Sequence, residues 1–297
     1  IAHQRGITLP TKNYWKFLDI VKIDHKIDFE RYHEYFDTTQ LVQSSPEAIE
    51  TSVHETISLS YRKANVELLE IRFNPMHRNT QGLYDLDRII FNATVGMKRA
   101  TMIYPVKVGL IIEMDRRFDM KKNKVILEKA IAHKNEGIVG IDISGPNNDK
   151  FSMKQMKPLI DKARSAGLGI TIHTGEAQPS SEVWEVLEHL RPDRLGHGFR
   201  SVDDTDLMDE LAKREICLEL CPTSNITLSL VKNWREMGSI IDTLRERNVP
   251  ITINSDGPVF FNTNALKELH TLHEKEIFTT KDVEEITANA YKHTFVK

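Results

Sequence analysis

Cysteine is nearly absent: Cys217 and Cys221 are the only two, four residues apart on one apolar segment. Two thiols make no disulfide framework, so a reducing cytosol is the default and a cytoplasmic location the expectation. A basic surplus is also lacking. Lys and Arg number 40 against 43 Asp and Glu, a formal net charge of −3, which leaves no electrostatic footprint for nucleic acid. No apolar run approaches the roughly 18 residues of a membrane span, and no apolar signal core stands near residue 1, so no membrane partner is expected. Low-complexity tracts, internal repeats and linker-like stretches are missing, which makes a single domain over 1–297 the simplest division.

What the chain has is an alternation of short apolar runs with helical patterns. The runs cover 68–73, 106–114 and 138–143, and four more end at His173, near His197, at Cys221-Pro222 and at Asp256. Between them, Met156, Leu159, Ile160 and Ala163 share one helical face before Gly167. Val183, Val186, Leu187 and Leu190 share a second, and Met237, Ile240, Ile241 and Leu244 a third. Strand–helix alternation argues for parallel strands with crossover helices. Strands that turn polar at their C-terminal ends point to a TIM (β/α)8 barrel, whose chemistry gathers at that face. A doubly wound sheet is the alternative, but no Gly-rich phosphate loop follows the first strand. The count is seven strands where a closed barrel needs eight. The expectation is that the first strand lies upstream of Ile1, residues 1–5 reading as a helix closed by Gly6.

Three strand ends carry chemistry. Ile172-His173-Thr174-Gly175-Glu176 is an apolar run that stops at an imidazole, with a carboxyl three residues on. Leu195-Gly196-His197-Gly198 places a histidine between glycines, which let backbone approach a ligand closely. Ile253-Asn254-Ser255-Asp256 ends a third run in a carboxylate. The other histidines, including His33 and His77, read as structural or surface residues, and Glu219 as a buried structural carboxylate. Imidazole and carboxylate together suit a borderline-soft divalent ion such as zinc. Bound zinc lowers the pKa of water toward about 7, and a neighbouring histidine and carboxylic acid move the protons of a hydrolysis.

In order, His-Thr-Gly-Glu from His173, Arg-Leu-Gly-His-Gly from Arg194, Leu-Glu-Leu-Cys-Pro-Thr-Ser-Asn from Leu218 and Ile-Asn-Ser-Asp from Ile253 resemble the adenosine deaminase family of the amidohydrolase superfamily. Supporting matches run from Arg5-Gly6-Ile7 through Glu70-Ile71-Arg72-Phe73-Asn74-Pro75 to Gly140-Ile141-Asp142-Ile143-Ser144-Gly145. The resemblance implies a TIM barrel with one zinc that turns a 6-aminopurine into its 6-oxo form and releases ammonia. By the same matching, His173 and Asp256 become zinc ligands, and Glu176 the donor of a proton to ring nitrogen N1. His197 becomes the base that orients the attacking hydroxide, and Gly145 a backbone N–H donor to the purine. The His-x-Glu and Pro-Cys-x-x-Cys signature of the other zinc deaminases is not here.

Two departures stand out. The family's His-x-His, which supplies two further zinc ligands, is expected upstream of Ile1, and the end at Lys297 looks short of the family's last helix. Where the family usually has Asp-Asp, this chain has Asp256-Gly257, so a carboxylate that contacts the purine and the attacking hydroxide is missing. Asn262 and Asn264 are the first suspects to replace it. The expected substrate is adenosine or 2'-deoxyadenosine. The alternatives are another aminopurine (adenine, N6-methyl-AMP, aminodeoxyfutalosine), for which Arg116, Arg117 or Arg200 would meet a phosphate, and a non-catalytic nucleoside-binding barrel.

Overall fold

A computed structural model describes residues 8–79, 85–146, 148 and 150–297. Three helices come first: α1 (Tyr14–Val21), α2 (Phe29–Val42) and α3 (Pro46–Ala64). Then strands and helices alternate: β1 (Leu68–Phe73), α4 (Leu86–Thr101), β2 (Lys107–Asp115), α5 (Met120–Ala132), β3 (Ile138–Ser144), α6 (Met153–Ser165), β4 (Gly169–Thr174) and α7 (Ser180–His189). The second half continues with β5 (Arg194–His197), α8 (Thr205–Lys213), β6 (Cys217–Leu220), α9 (Pro222–Thr227), α10 (Trp234–Glu246), β7 (Ile251–Ile253), α11 (Pro258–Phe261), α12 (Ala265–Glu274) and α13 (Thr280–His293).

The seven strands are all parallel and pair in chain order, β1 to β7. The sheet curls. Arg72 on β1 reaches Asp142 on β3 at 2.7 Å and Glu219 on β6 at 2.5 Å, and Arg194 on β5 reaches Glu70 on β1 at 2.6 Å. Strands four and five places apart touch this way only across a common interior. Among the described residues the architecture is that of a TIM barrel less one strand, as the alternation implied.

The predicted helical faces are the buried ones: Met156, Leu159, Ile160 and Ala163 on α6, and Val183, Val186 and Leu187 on α7, all pack into one core running from Ile49 to Ile286. Gly167 follows α6 in the left-handed region, at φ 82°, as a helix-ending glycine does. Glu219 is buried between Arg72 and Arg194, matching its structural reading. A smaller second core joins Ile23, Ile27, Leu228, Phe260 and Phe261 to Phe29, Tyr32 and Phe36 of α2. It seats α2 over the C-terminal ends of the strands, where the candidate site lies. The strand placed at Asp256 is shorter than that: β7 stops at Ile253, Asn254 N–H makes a last bond to Leu220 O of β6 at 2.8 Å, and Asp256 stands in the loop beyond. The helix read into residues 1–5 lies outside the described residues. No helix among the described residues is long and apolar enough to cross a membrane.

Candidate active site

His173 stands next to last on β4. Its ring lies over Gly196 of the neighbouring strand, where a Cβ would come within 2.8 Å of Nδ1, so only glycine leaves that space. Nδ1 is 2.8 Å from Asp142 Oδ2, and Asp142 is also held by Arg72. Burial alone would push the imidazole's pKa down, but Asp142 outweighs it and the pKa rises to about 9. Nδ1 stands against a carboxylate, which leaves Nε2 as the ring nitrogen turned away from it, the orientation that metal-ligating histidines take once deprotonated.

Glu176 and His197 follow at the tips of β4 and β5. Gly175 at φ 61° and Gly198 at φ 68° make the two turns, and Gly198 N–H donates to Thr174 O at 3.0 Å, tying them together. His197 Nε2 is 3.5 Å from Glu176 Oε1, and its Nδ1 is 3.1 Å from the Asn225 side chain at the start of α9. Burial raises the Glu176 pKa; His197 opposes this and Asp256 adds to it. Burial that favours the neutral carboxyl favours the form that can donate a proton. Asp256 sits in the loop before α11, with Oδ2 accepting from Ser224 Oγ at 2.5 Å. His197 and Asp256 both have left-handed backbones, at φ 60° and 52°. For residues with a side chain this conformation is costly and recurs where side chains must be aimed at a ligand.

Gly145 closes β3 at φ 103°, and a Cβ there would lie 2.8 Å from Asp115 Oδ1. All five sequence-predicted site residues, Gly145, His173, Glu176, His197 and Asp256, line one cavity of about 110 Å³ beneath Phe29, Tyr32, His33 and Phe36 of α2. His33, read from the sequence as structural, is a wall of this cavity. His77 is structural, bound to Asp115 at 2.7 Å.

The residues that sequence reasoning missed are those that hold or face the predicted ones: Asp142, Glu113, Ser224, Asn225 and Tyr32. Asp142, Ser224 and Asn225 lie inside the quoted motifs, so position was a usable signal for them. Tyr32 lies in none of the quoted motifs and had no such signal. Neither suspect for the missing carboxylate is among the residues that line the cavity. Asn264 Oδ1 caps α12 by accepting Lys267 N–H, and Asn262 O accepts from Lys267 Nζ. Of the three arginines, Arg200 is outside the cavity. Arg116 is bound to Glu182 at 2.7 Å, and Arg117 to Asp115 at 2.8 Å.

Metal fit is partial. His173 and Asp256 are the donor types zinc takes, each steadied by a second partner. Yet among the described residues no group of three or more His, Cys, Asp or Glu could enclose an ion, and a catalytic zinc ordinarily takes three protein ligands.

A curled parallel sheet with buried acid, imidazole and carboxylate at its C-terminal rim is the layout of a barrel hydrolase. The profile of the adenosine deaminase family matches residues 1–297, and the chain belongs to that family of hydrolytic deaminases acting on C–N bonds of cyclic amidines. An adenine deaminase from Sinorhizobium fredii is 30% identical over 82% of this chain and 74% of its own length. An adenosine deaminase from Shewanella denitrificans is 26% identical over 100% and 88%. Among solved structures, adenine deaminase from Arthrobacter aurescens superposes with TM-score 0.88 at 20% identity, covering 100% of this chain and 88% of its own. An amidohydrolase from Burkholderia ambifaria with bound Zn does so with TM-score 0.88 at 19%, covering 100% and 80%. Arabidopsis ADAL complexed with IMP gives 0.85 at 18%, covering 100% and 85%. At these identities the three structures speak for the fold.

Proposed function

We propose that this protein hydrolyses the 6-amino group of a purine nucleoside, converting adenosine and 2'-deoxyadenosine to inosine and 2'-deoxyinosine with release of ammonia. The observation that carries the reading is the pairing of Glu176 with His197, 3.5 Å apart, on the cavity that also receives His173, Asp256 and Gly145. His173 and Asp256 would hold a zinc ion, joined by ligands beyond the described residues. Such an ion supplies water acidified toward a pKa of about 7. Glu176 gives a proton to purine N1 as water adds at C6, and His197 takes a proton from that water and passes it to the amino nitrogen. The C6–N bond then breaks to release ammonia as the remaining hydroxyl proton returns to Glu176 and C6 becomes a carbonyl. The Gly145 backbone N–H donates to the six-membered ring and orients it. Residues 1–297 act in this reading as one metal-dependent hydrolase domain, consistent with the single main core.

A nucleoside is favoured over a nucleotide because Arg116 and Arg117, the arginines on the cavity wall, are committed to Glu182 and Asp115. A phosphate would have to displace those carboxylates. Adenine is the second reading, supported by the Sinorhizobium relative's name. The test is ammonia release by the full-length protein with zinc, offered adenosine, 2'-deoxyadenosine, adenine and N6-methyl-AMP in turn. Turnover of the nucleosides is expected; ammonia from none of the four would sink the deaminase reading.

A further inference from the structure

Gly257 follows Asp256 and has an ordinary backbone, φ −92° and ψ 82°. Its lack of a side chain is therefore about space. A Cβ there would come within 2.4 Å of the Phe260 ring and 3.3 Å of the Tyr32 hydroxyl. The two rings occupy the volume a side chain at 257 would use. Phe260 packs edge-on to Tyr32 at 5.4 Å, and Phe261 stacks on Tyr32 at 5.6 Å and 28°. The phenol is thus gripped by its ring, and Tyr32 lines the cavity with its hydroxyl beside Gly257. Tyr32 Oη has no hydrogen-bond partner among the described residues.

The groups facing that hydroxyl are carboxylates. Burial first, then Asp256, Glu176 and Glu113, push the phenol's pKa well above its usual value, so it stays a neutral O–H donor. An O–H donor free of protein partners in a substrate cavity is a binding group. We propose that Tyr32 donates a hydrogen bond to the imidazole-ring nitrogen N7 of the aminopurine, in the place left open by Gly257. The inference rests on the deaminase reading. With N1 at Glu176 and C6 toward His197 and Asp256, N7 is the acceptor on the other side of the amino carbon. In that pose N7 comes to the wall where Tyr32 lines the cavity beside Gly257. A lone-pair nitrogen is required there, so the site selects rings that keep it.

The experiment compares the aminopurine that the wild type turns over with its 7-deaza analogue, in which N7 is replaced by CH, for the wild type and Tyr32→Phe. Phenylalanine keeps the ring packing and removes only the hydroxyl. The variant is expected to lose roughly ten-fold in kcat/KM on the parent compound, the scale of one hydrogen bond whose acceptor is left unpaired. Wild type is expected to lose a similar factor on the 7-deaza compound, and the variant to lose nothing further there. Equal activity of variant and wild type on the parent overturns the proposal, as does an equal loss on both compounds, which would put the hydroxyl on some other atom. These results leave the deaminase reading intact; that reading fails instead when the wild type releases no ammonia from any aminopurine.

Discussion

At the scale of single residues, the site is held by strained or crowded positions. Glu176 is the sharpest case: a buried carboxyl whose raised pKa suits it to donate a proton, facing an imidazole at 3.5 Å. Glu176→Gln keeps the shape of the side chain but has no acidic proton to give. Turnover is expected to fall about 100-fold or more, with zinc content unchanged by elemental analysis. Gly257 makes the opposite point. Its φ admits any residue, so restoring an aspartate looks harmless until Phe260 is considered, since the new Cβ would press into that ring at 2.4 Å. Overpacking of this kind typically costs about 1–3 kcal/mol. Gly257→Asp is expected to lower the urea midpoint accordingly and to bring no gain in kcat/KM. A fully stable variant with higher activity would mean that the aromatic cluster yields easily.

At the scale of elements, strand ends do the positioning, and the end of β2 shows what sets one. Asp115 accepts from His77 at 2.7 Å, from Arg117 side chain and backbone, and stands 2.8 Å from where a Cβ on Gly145 would be. Burial would raise its pKa, but the bonds from His77 and Arg117 prevail and hold it down at about 2. The folded value is lower than the unfolded one. The stabilisation is therefore complete above about pH 4 and is lost as pH falls toward 2. That difference corresponds to about 2 kcal/mol. Asp115→Asn is expected to be less stable by roughly that amount at pH 7, with the gap to wild type closing by about pH 2. Denaturant titrations at several pH values read it directly. A gap that stays constant with pH would show that the ionised form contributes nothing.

At the scale of the whole molecule, the barrel interior is crossed by charge. Arg72 joins β1 to β3 through Asp142 and to β6 through Glu219, while Arg194 joins β5 to β1 through Glu70. Removing one partner from such a set leaves buried carboxylates facing each other, a loss of roughly 3–5 kcal/mol. Arg72→Leu is therefore expected to lower unfolding stability by about that much. It should also weaken zinc retention, because Asp142, which steadies His173, is no longer anchored. Unfolding curves and metal analysis of the same preparation check both, and an unchanged metal content would detach Arg72 from the site.

The alternation of apolar runs and helical faces determined the parallel order β1 to β7, because burial on both sides of a strand writes itself as a continuous apolar stretch. The polar endings likewise marked His173, His197 and Asp256 as candidates, since a polar group at or just past the end of a buried strand interrupts such a stretch abruptly. Tertiary structure alone decided which groups meet them. Asp142 touches His173, from another strand, only because the sheet brings their tips together. Arg116 and Arg117 read as free cations until folding set Glu182 and Asp115 against them. Tyr32 reaches the cavity because a small aromatic core seats α2 above the strand ends, and no periodicity in the chain encodes that distance. A sequence pattern reports how each residue is buried. The partner it is buried against depends on packing between segments far apart in the chain.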